Sequence, residues 1–483
     1  MRPKLQILQP ALVDRILDEA FELLRTVGTK VGSAEAVELL GSAGATVSYD
    51  AVQLPKTLAQ RALETVPREF FLYSRSGQTV VHYGGDDVHF DPGSSCLNIL
   101  DSETQQPRPA LSSDLMRMIQ VTEVLPEFAA QSTAMVCNDV TSEIGDWYRL
   151  LLVLWFSDKP VITGAFSIPT LQVMLGLLAA DSGGTEKLKL KPRAVFDVCP
   201  SPPLNWSQFA AQNMIELARA SVPAEIVSMP LAGATAPVTL AGAIVQHAAE
   251  CLAGITIQQL ANPGAPVVWG GAPAIFDMQT GNTPMGAIET AMLNLGCAQV
   301  GKSLGLPTHG YLVASDSREL DAQAGMESGG SALLGALAGI NMISGAGMLD
   351  FLACHSIEKL VLDKEAIASA QRLICGVQPR AETFALGAFA KTGLHGDFLK
   401  LPETRALFRK EQHFPSAVID RRADPEPRSL WDRARHRTEE LLATYHRPQI
   451  SPGTENAMLA IASRAMKGLA TQHLPGIESL ALI

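Results

Sequence analysis

From residue 128 onward the chain repeats one unit: an apolar run of strand length, then a segment long enough for a helix. The runs fall at 130–136, 161–166, 194–198, 225–229, 267–269, 310–314 and 340–343. Strand, helix and strand at this spacing require parallel pairing through crossover helices. The segment 240–260 is such a crossover, with Ile244, Val245, Ala248, Leu252 and Ile255 on one side, and 288–304 and 330–339 repeat the theme. The apolar stretch 359–362 is the candidate for an eighth strand. The pattern predicts an α/β protein with a closed (β/α)8 barrel rather than an open sheet. A barrel absorbs about 250 residues before insertions, so a chain of 483 residues carries additions at both ends.

Those additions have their own rhythm. The first 75 residues read as helices, with Leu12, Ile16, Ala20, Leu23 and Leu24 at helical spacing. Between 72 and 97, short alternating segments broken by Gly84-Gly85 and Pro92-Gly93 read as a small antiparallel patch. The expected division is a helical extension with a β patch packed on the barrel over 1–125, the barrel itself over 126–365, and a helical segment completing or covering it over 366–483. Within the last part, 421–437 is a charged surface stretch and 457–470 a final amphipathic helix.

Charge and cysteine usage narrow the class. The net charge of −11 comes with no basic stripe, which argues against a nucleic-acid partner; the acidic excess mildly favours a cationic small molecule, and solubility explains it just as well. The start of the chain lacks the basic-then-apolar order of a signal peptide. The strongly apolar stretches 150–156 and 332–343 fall short of the roughly 20 residues a membrane span needs. Seven dispersed cysteines read as reduced thiols, and the expected location is the cytoplasm.

A barrel binds its ligands at the carboxyl-terminal ends of the strands. The residues just past each run are small and polar: Cys137-Asn138-Asp139, Ser167, Cys199-Pro200-Ser201, Gly270-Gly271, Ser315-Asp316 and Gly345-Ala346-Gly347. They offer no obvious nucleophile and no histidine cluster. Gly345-Ala346-Gly347 lacks the third glycine and acidic partner of a nucleotide loop. Cys354-His355 lacks the two further ligands of a zinc site, so no metal is expected. His395-Gly396-Asp397 reads as loop capping. The segment 315–327 is the densest polar stretch after a strand, and Gln323 and Glu327 share a helix face; it either caps that helix or lines the pocket. Trp269, Tyr311 and Phe276 either plug the core or hold a cation against their faces, at about 0.5–2 kcal/mol per contact.

Several stretches together resemble the trimethylamine methyltransferase family, in its branch without pyrrolysine. They are Gly233-Ala234-Thr235-Ala236-Pro237-Val238-Thr239, Asn262-Pro263-Gly264-Ala265-Pro266, Ser315-Asp316-Ser317, Asp321-Ala322-Gln323-Ala324-Gly325, Glu358-Lys359-Leu360-Val361-Leu362-Asp363 and Pro415-Ser416-Ala417-Val418. The resemblance implies a barrel enzyme that takes a methyl group from a methylated amine and passes it to the cobalt of a separate corrinoid (cobalamin) protein, with no cofactor held tightly by this chain. The founding enzymes carry pyrrolysine, thought to hold the amine. This chain has only the twenty standard residues, so the resemblance points to a quaternary amine such as glycine betaine. Proline betaine, carnitine or butyrobetaine are the alternatives within the family, and a barrel that binds a methylated amine without turnover is the alternative outside catalysis.

A quaternary ammonium carries no proton and departs as a neutral amine, so the protein need only hold it in line and exclude water. The cation-holding candidates are Trp269, Tyr311, Phe276, Asp316, Glu289 and Phe90 (within His89-Phe90-Asp91), with Gln323 on the pocket wall. Arg318 and His309 are candidate donors to a betaine carboxylate. Family habit implies a homo-oligomer.

Overall fold

The computed structural model describes residues 2–421, 428–467, 469 and 474–477; residues 422–427 of the charged stretch and parts of the final helical segment lie outside them. Eight parallel strands form its centre: β1 His89–Pro92, β2 Gln131–Ser132, β3 Val161–Thr163, β4 Ala194–Val198, β5 Ala224–Ser228, β6 Val267–Gly271, β7 His309–Tyr311 and β8 Met342–Ala346. Strands β2 to β6 pair in sequence order. β7 pairs with β8, and β8 with β1. A parallel bridge from Trp269 to Thr308 joins β6 to β7, and the Ala129 amide donates to Phe90 O beside β2. The pairings therefore run around a ring.

A helix follows each strand: α1 Ser112–Val124, α2 Gly145–Phe156, α3 Ile168–Ser182, α4 Gln208–Ala220, α5 Leu240–Ala261, α6 Ile288–Ser303, α7 Ala322–Ala338 and α8 Ile357–Ile374. Local chemistry fixes their starts: the side chains of Ser167, Ser207, Thr239, Asp321 and Ser356 accept hydrogen bonds from backbone amides in the first turns of α3, α4, α5, α7 and α8. The eighth strand is thus β1, from the segment read as part of the β patch. The stretch 359–362 is instead in α8, where Lys359 Nζ and Asp363 Oδ2 pair at 2.5 Å across one turn. β1 is only four residues long and contains Asp91 and Pro92, so its sequence lacks the apolar run of a buried strand. The true antiparallel hairpin pairs Phe70–Tyr73 with Thr79–Tyr83.

That hairpin closes the amino-terminal end of the ring. Its Leu72, Val81 and Tyr83 pack on Ala130, Ile162, Val195, Val268 and Met342. Helices Pro10–Thr26 and Lys56–Thr65 pack on α5, Leu430–Thr444 on α8 and α1, and Pro452–Met466 on α3. α5 is long and apolar enough to cross a membrane, but most of it is buried within the protein. Its apolar character all round fits a helix covered on both sides.

Candidate functional site

Side chains alternate along a strand, so one set fills the ring and the other faces the helices. The lowest inward layer is the apolar one packed on the hairpin. The next is polar, and includes Asp91 on β1, Asp197 on β4, Glu225 on β5, His309 on β7 and Ser344 on β8. All but Glu225 reach a cavity of about 290 Å³ at the carboxyl-terminal ends of the strands, whose wall also includes Ser94, Ser95, Thr133, Phe166, Met229, Tyr311 and Leu352. The volume is at the lower end of small-molecule pockets, which run from about 300 to 1,000 Å³.

The polar layer is connected. Ser344 Oγ donates to Asp91 Oδ1 at 2.6 Å and lies 2.9 Å from His309 Nε2. On the other side of the ring, His309 Nδ1 is 2.7 Å from Glu225 Oε1, close enough for an ion pair although not aligned as a hydrogen bond. Tyr311 Oη accepts from the Ser94 amide at 2.8 Å, and its ring stands edge-on to His309. Gly93 permits that approach: a Cβ there would sit 2.1 Å from Met348 and 3.0 Å from the Tyr311 hydroxyl. Several buried atoms are left without a hydrogen-bond partner, namely Asp91 Oδ2, Asp197 Oδ1, Glu225 Oε2 and the Tyr83 hydroxyl.

Burial dominates the electrostatics. Desolvation pushes the carboxyls of Asp91, Asp197 and Glu225 well above the ordinary carboxylate range, and Glu225 raises both aspartates further. Burial also lowers His309 to about 4, against the pull of Asp197. The free cavity therefore holds neutral acids and a neutral imidazole at pH 7. A cation entering it would meet two carboxyls able to ionise, Asp91 and Asp197, each with an oxygen that has no partner, with Glu225 behind them. Among the described residues no group of three His, Cys, Asp or Glu side chains is placed to hold a metal ion.

The cavity cover is conformationally strained. Asp350, Phe351 and Leu352 follow one another at φ of 48°, 55° and 71°, a left-handed run of non-glycine residues that costs on the order of 1–3 kcal/mol each. Leu352 reaches the cavity wall.

Residues 1–469 match the trimethylamine methyltransferase (MTTB) family. The chain belongs to that family. Among curated relatives, the trimethylamine methyltransferase MttB of Desulfitobacterium hafniense (strain DSM 10664 / DCB-2) is 29% identical over 402 residues, covering 83% of this chain and 81% of its own. The MttB1 protein of Methanosarcina mazei is 31% identical, with 83% and 82% covered. The glycine betaine methyltransferase of Desulfitobacterium hafniense (strain Y51) is 28% identical over 478 residues, covering 96% of this chain and 98% of its own. Among solved structures, the Methanosarcina barkeri monomethylamine methyltransferase MtmB superimposes with a TM-score of 0.52 at 11% identity, covering 91% of this chain and 89% of that one. That likeness concerns the fold.

Of the residues singled out in the sequence of this methyltransferase-family chain, the structure brings His309 and Tyr311 together in the cavity. Trp269 faces the other way: its Nε1 donates to Cys297 O on α6 at 3.0 Å, and its ring lies against Gly301 and beside His247. Phe90 is fully buried in the apolar core between ring and helices, while its neighbour Asp91 points inward. Phe276 is half-buried in the loop after β6, its amide bonded to Ala232 O. Asp316 joins two loops at the rim, accepting from the amides of Met285 and Gly286 at 2.7 and 2.9 Å, and burial raises it to about 6. Gln323 bonds Glu327 Oε1 at 2.9 Å on exposed α7 surface, the one-face pairing its spacing predicted. Glu289 is exposed in the first turn of α6. Arg318 is exposed and paired with Asp350 at 2.9 Å. Sequence reasoning passed over Asp197 and Glu225, although a signal existed: each is a lone acid inside an otherwise apolar strand.

Proposed function

We infer that this protein takes a methyl group from a small quaternary amine, with glycine betaine as the leading substrate, for transfer to a corrinoid carried by a cognate partner protein. The observation that carries the reading is the polar layer: the neutralised carboxyls of Asp91 and Asp197, an imidazole and the Tyr311 ring around a cavity at the open end of a (β/α)8 barrel. An ammonium without protons cannot donate hydrogen bonds, so charge and ring faces are what such a site must offer.

The two ends of a betaine have separate partners. Asp91 and Asp197 supply negative charge to the ammonium end once a bound cation lowers their pKa. At the cavity edge, Arg149 is buried and its Nη1 donates to Ser95 Oγ at 3.3 Å and Thr133 O at 3.1 Å. Its guanidinium also lies 5.4 Å from the Phe166 ring. Its charge, shared with the buried Asp146 carboxylate at 3.5 Å, lies behind the wall that a betaine carboxylate would face. Water exclusion falls to Leu352, Met229 and Phe166. The corrinoid, when presented by its partner, supplies a cobalt(I) nucleophile for the methyl carbon. What fits that group here is the set of loops and first helical turns after β5, β6 and β7, where Val238, Met278, Ile288 and Met326 are exposed.

Mixing the purified protein with its reduced corrinoid partner and glycine betaine is the test. Growth of methylcobalamin absorbance is expected, and its absence for every quaternary amine in a panel of betaine, proline betaine, carnitine and butyrobetaine refutes catalysis.

A further inference from the structure

The amino-terminal end of the ring carries a second cavity, of about 390 Å³, remote from the mouth. It lies between the hairpin tip Ser74-Arg75-Ser76-Gly77, the end of α3 at Ser182, and the short helix Thr185–Leu190 with Lys191 after it. Arg193, one residue before β4, forms its floor. Four cations thus converge there, Arg75, Lys187, Lys191 and Arg193, in a chain whose net charge is −11.

Among the described residues only one carboxylate touches them. Asp181, fully buried, accepts from Arg75 Nε at 2.7 Å and also pairs with Arg193 Nη1. Two buried guanidiniums share that single charge; Asp158 and Glu123 add attraction to Arg193 without a side-chain contact. The remaining guanidinium bonds go to backbone carbonyls: Arg75 to Leu154 O and Ser157 O, and Arg193 to Asp158 O and Lys159 O. Three donors are left over. Arg75 Nη1, Arg193 Nε and Ser182 Oγ are buried with no partner, and the Arg193 side chain is only 2% exposed. An unpaired buried donor costs about 1–3 kcal/mol. Lys191 Nζ donates to Gly77 O at 3.1 Å, and both lysines are exposed at the cavity opening. A structural clamp explains why Arg75, Asp181 and Arg193 meet. It does not explain two further lysines at the same opening, or the unused donors beneath them.

We propose that this cavity binds a compact tetrahedral oxyanion, as inorganic phosphate or as the phosphoryl group of a small phosphorylated molecule. Donors come from three separate elements, the hairpin, the α3 end and the base of β4, which suits an ion with several acceptor oxygens better than a planar carboxylate. Occupancy ties the hairpin that closes the ring to the connection between α3 and β4.

Calorimetric titration of the full chain with inorganic phosphate in phosphate-free buffer tests this, with malonate as the carboxylate arm. Saturable one-to-one phosphate binding is expected, at least tenfold weaker in the Lys187→Ala/Lys191→Ala double variant, with little heat from malonate. Both lysines are exposed, so the variant should melt with the parent when phosphate is absent, and its methyl transfer at saturating amine should be unchanged. No saturable heat, or equal affinity in the double variant, overturns the site. Malonate binding as tightly as phosphate overturns the tetrahedral assignment. Neither result depends on whether a quaternary amine is the substrate.

Discussion

Replacing Asp197 by Asn should weaken cation binding while making the folded protein more stable. Asp197 lines the cavity, and its Oδ1 has no partner, so the amide removes charge at nearly constant shape. An ammonium about 5 Å from an ionised carboxylate gains roughly 3 kcal/mol at an effective dielectric of about 20. Part of that is spent ionising a carboxyl whose pKa burial and Glu225 have raised, at about 1.4 kcal/mol per unit above the working pH. A loss of about 1–3 kcal/mol remains, or roughly 5- to 150-fold in Kd. Because binding expels a proton, the parent should bind more tightly as pH rises, and the variant should show a shallower slope. The stability effect has the opposite sign. A carboxyl whose folded pKa is raised contributes stability that is complete below its unfolded value near 4 and is lost as pH rises through the folded pKa. Asn keeps the neutral form, so the variant should melt higher than the parent above about pH 4, increasingly so toward neutrality. Calorimetric titration with glycine betaine and tetramethylammonium from pH 5 to 9, with thermal melts at each pH, reads both effects. Unchanged affinity for both cations, or a parent affinity flat in pH, would refute the assignment of the polar layer to the ammonium.

Three further outcomes follow from the same structure. Arg149→Gln should raise KM for glycine betaine about tenfold and leave tetramethylammonium affinity within twofold, since only the betaine has a carboxylate; equal effects on both ligands would remove Arg149 from substrate recognition. His309, lowered to about 4, should stay neutral in NMR spectra down to about pH 5. Its contribution to stability is present above its unfolded value near 6.5 and is lost as pH falls toward 4; a titration near pH 6.5 would show that the imidazole is solvated. Lys359→Met alone should destabilise by about 3–5 kcal/mol by stranding the buried Asp363 carboxylate, whereas Lys359→Met/Asp363→Leu should recover much of that in denaturant unfolding. A double variant no better than the single one would place the cost in packing.

The repeating architecture was legible because strand and helix periods are local properties of the chain. Seven ring strands show as apolar runs, since both faces of a barrel strand are covered. β1 does not: with His89 and Asp91 in four residues, it reads as half-solvated patch, and only its pairing with Met342 and Ile343 of β8 shows it inside the ring. The site was legible to a smaller degree. His309 and Tyr311 stood out as polar and aromatic residues in a strand, but Trp269 and Phe90 were chosen for chemistry, without regard to facing. A one-residue shift in a strand moves a side chain from cavity to helix layer, which is why Asp91 lies inside and Phe90 outside.

Sequence alone determined the alternating α/β plan and membership of a methyltransferase family, because each is written in neighbouring residues. Tertiary structure alone decided that Asp91, Asp197, Glu225, His309 and Ser344 share one polar layer. These residues span more than 250 positions of the chain and come from five different strands. Their raised and lowered pKa values exist only once ring closure removes water from around all of them together.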